Sequence, residues 1–101
     1  MVKQNMSTES LKPLLEVAIS NQLKTLRHGI LRTKERITEF ELRFGMSSAE
    51  FKRKLQAGKI EETIETIDWN MELATLRLLE EQYRSLSEAE IDGDKIWLPL
   101  G

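Results

Sequence analysis

Apolar residues recur at helical intervals from residue 19 onward. Ile19, Leu23, Leu26, Ile30, Ile37, Phe40 and Phe44, with Thr33 included, step alternately by four and three residues. That is a heptad seam, the spacing by which one helix packs along another. It predicts a helix over 10–44, roughly 45 Å long. The helix should open between Ser10 and Pro13, because proline is tolerated in a first turn, where its missing N–H has no partner. Residues 1–9 are polar and expected to fray. Gly29 lies inside the helix, where glycine costs about 1 kcal/mol relative to alanine. It is a position for a kink or a close helix crossing.

The junction Phe44-Gly45-Met46-Ser47-Ser48-Ala49-Glu50-Phe51 carries stop and start signals together. Glycine enters the left-handed conformation after a helix without a Cβ penalty, so Gly45 ends the first helix. Ser47 is the expected N-cap of the next, with Glu50 as capping-box partner and Met46 and Phe51 as a hydrophobic staple. This short helix covers 48–57, and Gly58 ends it. A third helix is predicted over 61–86, with Glu61, Glu62 and Glu65 at its start, where the helix dipole favours negative charge. Its apolar residues fall into two stripes. Ile60, Ile64, Ile67, Met71, Ala74 and Leu78 form one; Trp69, Leu73, Leu76, Leu79, Tyr83 and Leu86 form the other, on roughly the opposite side. A helix apolar on two sides must be covered on two sides. The first helix covers one, so the pattern predicts a dimer or another bound partner. Asp92-Gly93-Asp94 is a turn signal. Beyond it Ile96, Trp97, Leu98 and Leu100 make residues 91–101 an extended apolar tail that Pro99 keeps out of a helix.

A chain of 101 residues is one domain with a modest core. Its net charge of −2 conceals an asymmetry. Residues 24–54 hold nine Lys or Arg against four Asp or Glu, and residues 55–101 hold four against eleven. Two partner surfaces would explain this, but mutual attraction of two antiparallel helices explains it more simply. There is no cysteine, which removes disulfides, thiolate zinc sites and cysteine nucleophiles and fits a reducing cytoplasm. No apolar run approaches a membrane span and no signal peptide is visible, so the expectation is a cytoplasmic protein without membrane contact.

Candidate chemistry is sparse. Glu61, Glu65, Asp68 and Glu72 share one face of the predicted third helix, and such a carboxylate face can hold magnesium. All-helical nucleotide pyrophosphohydrolases use acidic helices of this kind, but they combine two such motifs. The first helix here offers only Glu35 and Glu39, so a solvated or charge-paired face is the simpler reading. His28, the sole histidine, has Lys24, Thr25, Leu31 and Arg32 at its facing intervals and no carboxylate to orient it for acid–base work. The glycines are isolated and form no phosphate loop. Lys24, Arg27, Arg32, Lys34, Arg36, Arg43 and Lys52-Arg53-Lys54 could neutralise phosphates. The pI near 5.5 and the lack of a recognition motif count against nucleic acid as the partner.

The 44–51 stretch, then Gly58, then acidic residues leading to Asp68-Trp69, resembles a group of small helical proteins common in archaea and cyanobacteria. These carry an aromatic-Gly-Met-Ser-Ser-x-Glu-Phe stretch, a glycine after the short helix and an acidic-Trp ending; Lys59-Ile60 departs from the acidic residue usual after that glycine. Their function is largely unassigned, and some look like the antitoxin-side partner of a small toxin-like protein. The resemblance implies a protein-binding role.

The expectation is therefore an all-α protein, a long antiparallel helical hairpin with a short connecting helix and an apolar tail, dimerising into a helical bundle. The expected role is a non-enzymatic interaction module, antitoxin-like or regulatory, without cofactor. Its partner is a second copy or a small protein. The expected contact residues are Trp69, Leu73, Leu76 and Tyr83 on the third helix and Ile96, Trp97 and Leu98 in the tail.

Overall fold

In the computed structural model, residues 8–92 and 95–97 are described, with side chains over 11–89. The described residues form helices α1 (Thr8–Phe44), α2 (Ser48–Gln56) and α3 (Ile64–Ser87), then strands β1 (Glu90–Asp92) and β2 (Lys95–Trp97). α1 and α3 pack along each other as a hairpin. The molecule is a rod measuring 66 × 22 × 22 Å.

The heptad seam of α1 faces inward. Leu26, Thr33 and Ile37 are buried, and Ile19, Leu23, Ile30, Phe40 and Phe44 are half-buried. The helix starts two residues earlier than expected, so Pro13 lies inside it rather than in its first turn. The carbonyl of Glu9 thereby loses its usual N–H donor. Gly29 faces Leu79 of α3: a Cβ built there would sit 3.4 Å from Leu79 Cδ1, an ordinary van der Waals contact.

Both glycine stops behave as expected, with φ of 65° at Gly45 and 70° at Gly58. Each closes a Schellman motif, in which the N–H two residues past the helix reaches back to its last free carbonyls. Met46 N donates to the Glu41 carbonyl at 3.2 Å, and Lys59 N to the Lys54 carbonyl at 2.8 Å.

The start of α3 differs from expectation. Glu61 and Glu62 precede the helix, and Thr63 is its N-cap. Thr66 N donates to Thr63 Oγ1 at 3.2 Å, and Thr63 N donates to Thr66 Oγ1 at 2.8 Å. This is a capping box with threonine in place of the usual Glu or Gln. It outweighs the pull of the helix dipole on Glu61, because two backbone donors gain partners at once.

The tail is not a free extended segment over its described part. Lys95–Trp97 pairs antiparallel with Glu90–Asp92, setting Glu90 opposite Trp97 and Ile91 opposite Ile96. Leu98, and the side chains of Ile96 and Trp97, lie outside the described residues.

Candidate interaction surface

The 44–51 junction and Trp69 form one cluster. Trp69 and Phe51 are both fully buried. Their rings stack 3.9 Å apart and 3° from parallel. Phe40 and Phe44 of α1 stack on the same indole at centroid distances of 5.8 and 5.4 Å. Trp69 thus joins all three helices, and aromatic stacks of this kind contribute beyond their buried area.

A polar chain runs along the edge of the stack. Trp69 Nε1 donates to Ser48 Oγ at 3.2 Å, and Ser48 Oγ donates to Glu41 Oε2 at 2.8 Å. The same carboxylate oxygen accepts from Ser48 N at 2.8 Å. Glu41, at the end of α1, therefore sits at the positive N-terminus of α2. From the sequence, Glu50 is the expected partner at this helix start. Ser47 does cap, accepting from Glu50 N at 3.1 Å. The Glu50 side chain instead pairs with Lys54 at 3.2 Å, and only half of the expected capping box forms.

This burial removes Trp69 from the expected contact residues. Trp69 offers no surface to a partner, because α1 and α2 enclose it. Leu73, Leu76 and Tyr83 are half-buried on the same side, with the Arg27 guanidinium 5.9 Å above the Tyr83 ring. The stripe expected to meet a partner is the one that α1 covers. The other stripe is bare: Ile64 is 79% exposed, Met71 61%, Leu78 54% and Ile67 45%, and Ala74 between them is exposed. Near its end a groove lined by Leu26, Leu78 and Leu86 runs between α1 and α3. The sequence alone identified both stripes; it lacked the aromatic stack that turns Trp69 inward.

Three ion pairs tie the two long helices together. Arg43 pairs with Glu65, Arg36 with Glu72 at 3.2 Å and Lys34 with Glu80 at 4.0 Å, each joining α1 to α3. Lys52 Nζ donates to Asn70 Oδ1 at 2.7 Å. Lys34, Arg36 and Arg43 of the basic stretch are thus set against acidic residues of α3.

The acidic set is broken up for the same reason. Glu61 is not on the helix, Glu65 and Glu72 face arginines, and Asp68 lines a shallow hollow shared with Arg36 and Arg43. Among the described residues no group of three or more His, Asp or Glu side chains is placed to hold a metal ion. Magnesium binding by Glu61, Glu65, Asp68 and Glu72 therefore lacks its geometry. His28 is exposed. No helix among the described residues is long and apolar enough to cross a membrane. The chain matches no family model, no curated protein and no solved structure.

Proposed function

We propose that this chain is a non-enzymatic protein-interaction module, antitoxin-like or regulatory in kind. It acts by burying the outer stripe of α3 in a protein partner. The single observation that carries this reading is the row Ile64, Ile67, Met71 and Leu78, exposed over four turns of a well-capped helix. Isolated exposed apolar residues need no explanation, whereas a contiguous row on one face marks a docking site. The partner lays a helix along the row, reading anchors three and four residues apart. The antitoxin-like character draws only on the resemblance carried by residues 44–51, Gly58 and Asp68-Trp69.

The test uses tagged full-length protein in nuclease-treated extract of the native host. Wild type, Met71→Glu and Leu42→Glu serve as baits. Leu42 is more exposed still but lies on α1, away from the row. The expected result is a stoichiometric partner, another protein or an untagged copy, kept by wild type and Leu42→Glu and lost with Met71→Glu. If Met71→Glu retains everything the wild type retains, the reading fails.

A further inference from the structure

We infer that the occupant of the α3 stripe is the same stripe of a second copy, the two helices running antiparallel about a two-fold axis. This rests on the docking reading above and names the partner.

Four observations point to it. First, Ile64, Ile67, Met71, Ala74 and Leu78 step by three, four, three and four residues. That regularity seats another helix along its whole length. Second, the row complements itself, as a two-fold interface requires. With Ile67 opposite Met71 of the second copy, Ile64 falls opposite Ala74, so the most exposed side chain of the row meets the smallest. Leu78 then lies level with the half-buried Ile60 of the second copy. Third, two such rows with their flanks cover roughly 1,000 Å² in total, the lower limit for specific association. α1 packs on the opposite side of α3 and leaves the row clear. Fourth, the flanks have a defined electrostatic pattern. Arg77 comes level with Glu61 of the second copy, an attractive placement. On the other flank Asp68 lies two residues along the axis from Asp68 of the second copy, a near like-charge pair, softened by Arg36 and Arg43 beside it, that opposes association at low salt.

The experiment is analytical ultracentrifugation of the full chain from low to high micromolar concentration, at low and moderate salt. Wild type is expected to show a reversible monomer–dimer equilibrium. Met71→Glu should weaken it by at least about tenfold, and Asp68→Asn should tighten it about two- to fivefold at low salt. Circular dichroism checks that both variants keep the wild-type helix content. The chain has no cysteine, so introduced cysteines report register directly. Ile67→Cys mixed with Met71→Cys should cross-link on oxidation, and Leu78→Cys alone should not. Efficient self-cross-linking of Leu78→Cys would instead mean parallel helices and overturn the antiparallel pairing. A monomer at every concentration overturns self-pairing; the docking reading survives that result if Met71→Glu still releases a different protein from the extract. A dimer indifferent to Met71→Glu overturns self-pairing through this row.

Discussion

Trp69 is the residue on which the fold turns. Its indole is enclosed by Phe40, Phe44 and Phe51, and its one polar atom is answered by Ser48. Ser48 is in turn held by Glu41 from the preceding helix. A buried N–H left without an acceptor costs about 1–3 kcal/mol. Ser48→Ala is therefore expected to destabilise the protein by about 1–2 kcal/mol in urea unfolding. Trp69→Ala, which removes the centre of the stack, should cost about 3–5 kcal/mol. If Ser48→Ala shifts the midpoint negligibly, the chain from indole to carboxylate contributes nothing net. The sequence placed Ser47, Ser48 and Phe51 at a helix start correctly. It could not place Glu41 there, because that contact depends on how the chain turns back after Gly45.

At the scale of the element, the helices are bounded by local chemistry. Gly45 and Gly58 sit in the left-handed region with open space around them. Gly29 sits in ordinary helix with room for a methyl beside a movable leucine side chain. The same substitution should therefore have opposite signs. Gly45→Ala is expected to destabilise by about 1 kcal/mol through backbone strain. Gly29→Ala should stabilise by about 0.5–1 kcal/mol through helix propensity. Thermal unfolding of the two single variants checks both. A destabilised Gly29→Ala would show that the helix crossing at Leu79 tolerates no added atom. Both glycine stops were legible from sequence, since only glycine takes that conformation freely. The Thr63–Thr66 cap was not, because threonine rarely takes the return half of a capping box and the acidic residues before it mimic a first turn.

For the whole molecule, the decisive question is which stripe of α3 meets α1. The structure turns Trp69, Leu73, Leu76 and Tyr83 inward and leaves Ile64, Ile67, Met71 and Leu78 outside. A charge on each stripe should then act differently. Leu76→Glu is expected to lower unfolding stability by several kcal/mol, because it places a carboxylate against the helix seam. Met71→Glu should change stability by no more than about 0.5 kcal/mol, as exposed substitutions do, while altering association. Chemical denaturation of the two variants side by side decides between the stripes. Comparable losses of stability would mean that the outer row also packs within the chain.

The sequence by itself determined the helical class, the heptad seam of α1, both glycine stops, the α2 cap and the presence of two apolar stripes on α3. These follow from local geometry, in which spacing and glycine conformation act within a few residues. Part of the charge asymmetry acts between the halves, in the three ion pairs that join α1 to α3, because opposite charge needs only proximity to act. The tertiary structure decided the rest: which stripe is core, that Glu41 rather than Glu50 serves the start of α2, and that the acidic face of α3 is occupied by arginines. Each of these depends on contacts between residues 7 to 46 positions apart along the chain, such as Glu41 with Ser48, Arg36 with Glu72 and Lys34 with Glu80. Both stripes are apolar at helical spacing, so periodicity alone cannot choose between them. The aromatic stack on Trp69 does, because three phenylalanines from α1 and α2 converge on one side of α3.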